Sequence, residues 1–370
     1  MQTQFYLPTR WFFGENAFLD HTDALVPLGK RCLIVTGKHS AARSGALADA
    51  ADALDRLGIA HAVFDGIGAN PLLSACRAAG AAARDCGAEF ILGIGGGSVL
   101  DAAKAVAIYA ANPTLAPAEI YRRVYNAPPL PVALIGTTAG TGSEVTGVSV
   151  LTNDETGRKK SISGPDCYAA VSFCDPRYTA SMPRSVTVST ALDAFAHAVE
   201  GYFTSKCEGV HLLFAQRAIP LLYQGLCALA ACGDVPEALR APLYDGAIHA
   251  GLVINACGTA FPHPLGYVLT EHYGIPHGMA CAAFFPAFLE RCMQFAPEKA
   301  AAFFEMTDAP DAVAATVKSL TELPGVHFTA KEAAAYAARW ESAIPKNFTA
   351  SPGGLTQEEA AKILAGVGRG

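Results

Sequence analysis

Residues 91–104 read ILGIGGGSVLDAAK, which predicts an apolar strand, a turn of three glycines and then a helix. The first amides of a helix lack partners within it and lie at its positive dipole end, so they bind phosphate oxygens well, and glycine lets an anion approach them closely. The turn residues that would bind phosphate are the three glycines Gly95, Gly96 and Gly97. The pattern is not G-x-G-x-x-G, and it also fits a plain turn in which Ser98 is the N-cap and Asp101 closes a capping box.

A second loop of this kind spans residues 135–146, IGTTAGTGSEVT, directly after another apolar run. Its hydroxyl groups, separated by glycines, belong to Thr137, Thr138, Thr141 and Ser143. Loops at the carboxyl ends of neighbouring strands form the usual nucleotide crevice of an open α/β sheet. The two loops together therefore predict a dinucleotide site, which neither would establish alone.

Outward from these loops, short apolar runs alternate with alanine-rich segments of helical spacing. The predicted strands cover residues 31–36, 61–64, 90–94 and 132–136, and the predicted helices cover 44–57, 71–86 and 100–111. Such alternation predicts βαβ units, and strands that are apolar throughout indicate a parallel sheet covered by helices on both faces. The first half is therefore predicted to be a Rossmann-like α/β dinucleotide-binding domain.

The pattern changes at about residue 185, where long helical segments follow one another without a convincing strand. These segments cover residues 187–203, 211–231 and 242–255. A chain of 370 residues is also too long for one ordinary core. We expect an α/β domain over residues 1–183 and an all-α domain over residues 184–370.

Composition excludes several classes of protein. Half of the residues are apolar (51%), only 16% are charged, and the net charge is −6, so there is no basic surface for nucleic acid or anionic membrane. The amino-terminal residues do not resemble a signal peptide, and no apolar run is long enough to predict a membrane span. The eleven cysteines form no C-x-x-C pair, and those in apolar surroundings, such as Cys32 and Cys281, are expected to pack as small hydrophobes. We expect a cytoplasmic protein.

A candidate metal site begins in residues 187–203, TVSTALDAFAHAVEGYF. Asp193 and His197 stand four residues apart, which places both on one face of a helix with Cβ atoms about 5–6 Å apart. The pair could share a metal ion, or the two side chains could simply hydrogen-bond each other.

Residues 261–278, FPHPLGYVLTEHYGIPHG, bring a further pair of histidines. On one unbroken helix, His263 and His277 would be about 21 Å apart. The prolines and glycines at both ends of this segment instead predict that the chain bends and returns, so that both histidines can face one ion. His272 lies in what is predicted to be an exposed turn and is the weaker candidate. Three imidazoles and one carboxylate suit iron(II) or zinc(II).

The chain resembles the iron-containing (group III) alcohol dehydrogenase family, near its branch of short-chain alcohol and 1,3-propanediol dehydrogenases. The resemblance runs nearly end to end through the motifs FDGIGANP, GIGGGSVLDAAKA, TTAGTGSEVT, CDPRYTASMP, ALDAFAHAVEGY and HPLGYVLTEHYGIPHG. It implies an architecture like that of dehydroquinate synthase, with an α/β dinucleotide domain followed by a helical metal-binding domain. It also implies a homo-oligomer, expected to be a dimer.

The resemblance assigns roles to particular residues. The implied metal ligands are Asp193, His197, His263 and His277. The glycine-rich turn of Gly95, Gly96, Gly97 and Ser98 would bind the cofactor pyrophosphate, with Asp101 nearby. The other implied dinucleotide contacts are Asn70, Thr137, Thr138, Thr141 and Lys160.

Cofactor preference depends on the residues after the strand that ends at Thr36. Members of the family that prefer NAD commonly carry an aspartate here, which binds the ribose hydroxyls and repels a 2′-phosphate. This chain has Gly37 instead, and the cations and hydroxyl that follow are Lys38, His39, Ser40 and Arg43. We therefore expect NADP(H) to be favoured over NAD(H).

Tyr267 is a second departure. Many relatives carry a histidine four residues after the third ligand, near the nicotinamide, whereas another branch has H-x-L-G-Y as in this chain. A histidine proton relay is therefore in doubt, and Tyr267, ribose hydroxyls or water remain as alternative proton carriers.

These observations predict a metal-dependent, NAD(P)-linked alcohol dehydrogenase or aldehyde reductase that acts on a small alcohol or aldehyde. Iron(II) is the expected metal, with zinc(II) as the alternative, and it would act as a Lewis acid. A sulfo-, phosphono- or carboxy-substituted aldehyde stays open as substrate, because three arginines could meet an anionic group: Arg122, Arg123 and Arg184. Two further alternatives are a lyase like dehydroquinate synthase and a non-catalytic dinucleotide-binding protein.

Overall fold

The computed structural model describes residues 4–308 and 312–367, and the chain forms two compact units. One unit is Tyr6–Pro183, and the other is Arg184–Gly370 together with Met1–Phe5. The sequence-based division places Gln4 and Phe5 in the α/β domain, whereas the structure groups them with the helical unit. Phe5 packs on Phe214, with ring centroids 5.2 Å apart, because the aromatic ring finds its apolar partner on a helix of the second unit.

The α/β unit is built from eight strands and four α-helices. The strands are β1 (Arg10–Phe13), β2 (Arg31–Thr36), β3 (Ala60–Phe64), β4 (Phe90–Gly95), β5 (Val132–Gly136), β6 (Val148–Thr152), β7 (Lys159–Ser163) and β8 (Val171–Cys174). The helices are α1 (Ser40–Arg43), α2 (Ala46–Arg56), α3 (Leu73–Asp85) and α4 (Gly97–Ala111). Short 3₁₀ turns lie at Leu19–Leu28, Pro117–Arg122, Ser143–Val145, Pro165–Cys167 and Pro176–Thr179.

Six of these strands form one parallel sheet in the order β1-β8-β5-β4-β2-β3, and β6 and β7 form a separate antiparallel hairpin. The predicted parallel sheet is thus confirmed. The sequence does not predict β1, β8 or the hairpin. β1 and β8 have only four residues each, and they pair with segments far away along the chain.

The core explains why the central strands are apolar at nearly every buried position. Leu33 and Val35 of β2 are buried on the face covered by α3 and α4, whereas Cys32 and Ile34 are buried on the opposite face with α2. Both faces of the sheet are therefore apolar, as a parallel sheet requires. The helix predicted over residues 44–57 forms as α2, and it is separate from the short α1 before it because Gly45 adopts a left-handed φ of 83° between them.

In its described residues, the second unit is helical and has no strand, which confirms the predicted all-α half. Its α-helices are α5 (Arg184–Phe203), α6 (Val210–Ala231), α7 (Arg240–Cys257), α8 (Pro262–Tyr273), α9 (His277–Ala282), α10 (Phe285–Phe295), α11 (Pro297–Thr307), α12 (Val313–Leu320), α13 (Ala330–Ala337), α14 (Lys346–Ala350) and α15 (Gln357–Gly366). Two 3₁₀ turns lie at Glu237–Leu239 and Ala338–Trp340. The central helix, α5, is buried along nearly its whole length and packs against α6, α7 and α9.

Helix α6 has the length and the mean hydropathy, 1.3 over 18 residues, of a helix that could cross a membrane. It packs against both α5 and α7 in the structure. A buried core helix has the same composition, so the hydropathy of α6 is weak evidence for a membrane span.

Candidate metal centre and dinucleotide-binding loops

Helix α5 presents three polar side chains on one buried face. Asp193, His197 and Glu200 occupy positions i, i+4 and i+7, the spacing that aligns side chains on two successive turns. Each is at most 6% exposed. Polar groups at this depth need partners, and these come from α8 and α9.

The chain between α8 and α9 reverses direction at Gly274, whose φ is 66°. The expectation that the chain already bends at Pro264 and Gly266 is wrong, because α8 is continuous from Pro262 to Tyr273. Prolines in the first turn of a helix are tolerated, since the amides there have no acceptor within the helix. His263 therefore lies in the first turn of α8, and His277 is the first residue of α9.

Gly278 explains how His277 comes so near to α5. A Cβ atom at this position would overlap the backbone carbonyl of Ser189, so the backbones of α9 and α5 are in direct contact. Only glycine permits this approach.

The three histidines converge on one carboxylate oxygen. The Nε2 atoms of His197, His263 and His277 lie 3.8, 3.9 and 3.8 Å from Oδ1 of Asp193. These distances exceed a hydrogen bond, whereas two ligand atoms about 2.0–2.2 Å from one ion can be up to about 4.4 Å apart. One carboxylate oxygen and three imidazole nitrogens are also a donor set that suits iron(II) and zinc(II). The donor atoms of Asp193, His263 and His277 lie within 4.8 Å of one another and fit a divalent metal ion, and His197 reaches this group through its 3.8 Å distance to Asp193.

Glu200 is a residue of this centre that the sequence analysis does not single out. Its Oε1 lies 2.7 Å from Nδ1 of His263, and its Oε2 accepts a hydrogen bond of 2.8 Å from the backbone amide of Ala260. Burial raises the pKa of Glu200, and the neighbouring His263 opposes this shift. The i+7 spacing from Asp193 is the signal in the sequence that could have identified it.

Two more side chains border the ligand cluster. Sγ of Cys281 lies 3.7 Å from Nε2 of His277. The same sulfur is within 4.8 Å of the possible ligand atoms of Asp193, His263 and His277. The interpretation of Cys281 as a packing residue alone is therefore incomplete. The ring of Tyr267 stacks on that of His277, with centroids 5.4 Å apart and planes tilted by 17°.

The other histidines of α6, α7 and α8 lie away from the ligand cluster. His272 is exposed in the last turn of α8 rather than in a loop, and its ring contacts Tyr336. Nδ1 of His249 lies 2.9 Å from Oδ1 of Asp245, and the ring nitrogens of His211 contact the carbonyl oxygens of Lys206 and Gln4.

Two segments of the α/β unit, the glycine turn (residues 95–98) and the threonine loop (residues 137–146), follow paired residues of neighbouring strands. Gly95 of β4 is in register with Gly136 of β5, and the amide of Thr137 donates to the carbonyl of Gly95 over 2.9 Å. A Cβ atom at Gly96 would lie 2.9 Å from the side chain of Thr138, and one at Gly97 would overlap Thr141. The glycines therefore let the two loops pack against each other.

The expected capping box at this turn does not form. Helix α4 begins at Gly97 with Gly96 as its N-cap, and no side chain caps it. Asp101 instead accepts hydrogen bonds from Oγ of Ser143 (2.6 Å) and from the amide of Val150 (2.8 Å). One oxygen of the Asp101 carboxylate thus binds the threonine loop, and the other binds β6.

Asn70 and Lys160, the other dinucleotide candidates, lie on different segments. The amide of Asn70, a residue with a left-handed φ of 56°, donates to Oγ of Ser98 over 3.4 Å, which places it beside the glycine turn. Lys160 is on β7, with its Nζ 5.1 Å from the centre of the Tyr121 ring. It lines an open cavity of about 470 Å³ together with Arg122 and neighbouring residues.

The residues expected to select the cofactor follow the carboxyl end of β2. Lys38, His39, Ser40 and Arg43 are all exposed. A Cβ atom at Gly37 would lie 3.0 Å from the carbonyl oxygen of Ile67, so this position has little room for a side chain.

Comparison with known proteins gives consistent matches along the chain. Residues 8–176 match the iron-containing alcohol dehydrogenase family, and residues 187–327 match the carboxyl-terminal domain of the same family. Lactaldehyde reductase of Escherichia coli is 32% identical over 295 residues, which cover 79% of this chain and 76% of that protein. The 1,3-propanediol dehydrogenase of Klebsiella pneumoniae is 32% identical over 308 residues, 82% of this chain and 78% of the relative.

Solved structures agree with these matches. An iron-containing alcohol dehydrogenase from Thermotoga maritima superposes with a TM-score of 0.90 at 34% identity, covering 99% of this chain and 100% of its own. Sulfoacetaldehyde reductase from Bifidobacterium kashiwanohense, solved in complex with NAD⁺, superposes with a TM-score of 0.86 at 27% identity and covers 99% of each chain.

Proposed function

We propose that this chain, which belongs to the iron-containing alcohol dehydrogenase family, works with iron(II) and NADP(H) on a short aldehyde. It is a metal-dependent, NAD(P)-linked oxidoreductase of alcohols and aldehydes. The observation that carries the metal assignment is the convergence of three histidine Nε2 atoms on Oδ1 of Asp193. Zinc(II) suits the same donors and is the alternative metal.

When bound, the metal supplies Lewis acidity that stabilises negative charge on the substrate oxygen. The protein's part is to hold the reactants. Asp193, His197, His263 and His277 would hold the ion, and the glycine turn with the hydroxyls of Thr137, Thr138 and Thr141 would hold the dinucleotide. Tyr267, stacked on a ligand, is the protein hydroxyl proposed to carry the proton.

The proposed preference for NADP(H) is supported by charge. After β2 the chain has Gly37 where members of the family that prefer NAD commonly carry an aspartate. Lys38 in the following loop and Arg43 at the end of α1 are exposed and would complement a 2′-phosphate. Ser40 adds a hydroxyl donor there. We further propose a cytoplasmic homodimer, in line with the composition and the family resemblance.

An anionic short aldehyde is the second candidate substrate, supported by the similarity to sulfoacetaldehyde reductase. Of the three candidate arginines, Arg123 already pairs with Asp166 at 3.0 Å and Arg184 donates to the carbonyl of Leu229 at 2.6 Å. Since two of the three guanidinium groups are engaged within the protein, a neutral aldehyde is the first choice, and Arg122 is left as the candidate contact for an anionic group.

The test is to load purified protein with iron(II) or zinc(II) under anaerobic conditions. The oxidation of NADPH and of NADH is then followed separately with neutral and anionic short aldehydes. We expect metal-dependent turnover that is faster with NADPH and with a neutral aldehyde. Absence of metal-dependent oxidation of either cofactor with every aldehyde would disprove the proposed function, and a lyase would give that result.

A further inference from the structure

The third residue on the buried face of α5, Glu200, contacts a metal ligand rather than the metal position. Asp193 and His197 occupy the two preceding turns of this face. Oε1 of Glu200 lies 2.7 Å from Nδ1 of His263, on the side of the imidazole opposite to the Nε2 that faces Asp193. The carboxylate is therefore behind the ligand ring.

This contact determines which nitrogen of His263 carries the hydrogen. A carboxylate only accepts hydrogen bonds, and 2.7 Å is the length of a charge-assisted bond. Beside the ionised form of Glu200, Nδ1 of His263 is thus the protonated nitrogen, and Nε2 presents its lone pair toward Asp193. We propose that Glu200 is a positioning residue that fixes the tautomer and orientation of His263 for metal binding; this inference rests on the proposed function, because it presumes a metal ion at the ligand cluster.

The other oxygen of Glu200 holds the backbone from which His263 projects. Oε2 accepts from the amide of Ala260 over 2.8 Å, in the short connection between α7 and α8. The next amide, that of Phe261, donates to Oγ of Ser351 over 3.0 Å. One carboxylate therefore fixes both the ring of His263 and the chain three residues before it.

A purely structural role is the alternative, in which Glu200 only satisfies the amide of Ala260 inside the core. The two roles differ in what they predict for metal affinity. Hydrogen bonds behind a ligand histidine commonly contribute about 10–100-fold to metal affinity. A structural carboxylate would instead affect the stability of the folded protein and leave the affinity of the folded fraction unchanged.

Glu200→Gln separates the two roles, because the amide has one acceptor oxygen for two donors. It can accept from Nδ1 of His263 or from the Ala260 amide, but not from both, and its NH₂ group opposes the other N–H. We expect the dissociation constant of zinc(II) or cobalt(II), measured by chelator competition, to rise about 10–100-fold. Glu200→Ala should weaken binding at least as much, and the exposed Glu290→Gln should bind like wild type.

A double-mutant cycle with His263→Ala shows whether the effect passes through the ligand. If it does, adding Glu200→Gln to His263→Ala changes the dissociation constant less than about twofold. A Glu200→Gln constant within about twofold of wild type, or equal losses in the presence and absence of His263, overturns the inference. Absence of metal binding by the wild-type protein would instead contradict the proposed function.

A measurement on the wild-type holoenzyme covers the case in which the variants do not fold. In ¹⁵N-histidine-labelled, zinc-loaded protein, the His263 resonances are identified by their loss in a His263→Asn variant or, failing that, by through-space contacts. We expect Nδ1 to carry the proton. Protonation at Nε2 overturns the inference.

Discussion

The ammonium group of Lys104 donates to both the carbonyl oxygen and Oγ of Ser143, each at 2.8 Å, from a position with no solvent exposure. The carbonyls of Thr146 (2.9 Å) and Val148 (2.7 Å) also lie within hydrogen-bond distance, so the three N–H groups of the ammonium are shared among four oxygens. Burial lowers the pKa of Lys104, and the nearby Asp101 opposes this shift. One side chain of α4 therefore holds the end of the threonine loop against the helix that begins at the glycine turn.

Lys104→Met tests whether this anchor shapes the dinucleotide site. The variant leaves several buried acceptors and Asp101 without their cation, so we expect a loss of about 3–5 kcal/mol in the free energy of unfolding. NADPH binding, measured by fluorescence titration, should weaken about tenfold or more at a temperature where the variant is folded. The exposed Lys331→Met is the control. Weaker folding with unchanged NADPH affinity would argue against the anchor.

His263→Ala and His272→Ala distinguish the ligand from its neighbour on the same helix. The first removes a donor atom from the cluster, so we expect metal retention to weaken by more than the about 10–100-fold typical of residues that only contact a ligand, and no measurable turnover. His272 is exposed and contacts Tyr336, so its replacement should leave metal content unchanged. Metal content after gel filtration and turnover are measured together. A metal-free His263→Ala protein with full activity would contradict the scheme.

Tyr267→Phe separates the ring from its hydroxyl. The ring stacks on His277 and is kept in the variant, so metal affinity should not change. Loss of a proton carrier should lower kcat about 10²-fold and alter its pH profile. An unchanged kcat would assign proton transfer to water or to the ribose hydroxyls.

Lys38→Ala tests the proposed 2′-phosphate site. Loss of a charged donor should raise KM for NADPH about tenfold and leave KM for NADH nearly unchanged. Lys30→Ala is a matched control, because Lys30 is exposed next to the opposite end of β2. Equal effects on both cofactors would place Lys38 outside the phosphate site.

Asp245 gives a prediction for the acid side of the stability curve. Burial raises the pKa of Asp245, but hydrogen bonds from His249 and Arg217 outweigh it and hold the pKa below its usual value. The stability from this carboxylate is full above the unfolded-state pKa of about 3.9 and is lost as pH falls through the lower folded-state pKa.

Asp245→Asn should therefore be less stable than wild type at neutral pH, by about 1 kcal/mol, and the difference should shrink below about pH 4. Urea unfolding across this range measures it, with the exposed Asp234→Asn as control. A difference that stays constant with pH would show that Asp245 contributes by packing instead.

The features that sequence alone predicted are those encoded over a few residues. The apolar runs of β2 to β5 and the helix periodicity of α5 follow from local patterns, so the parallel sheet and the helical half were predicted correctly. The facing side chains of Asp193 and His197 follow from helix geometry alone. The reversal before His277 was expected from its glycine and proline, although the prolines of α8 do not bend it.

Contacts between distant segments needed the tertiary structure. Glu200 and His263 are 63 residues apart, and nothing in the local sequence pairs them. At the glycine turn, the local pattern gave a wrong prediction for Asp101, which fits a capping box. Its carboxylate instead binds Ser143 and Val150, which lie 42 and 49 residues later in the chain. A short-range motif shows which hydrogen bonds a side chain can make. Which of them it makes is decided by the donors that folding brings into a buried site, where a carboxylate without partners costs several kilocalories per mole.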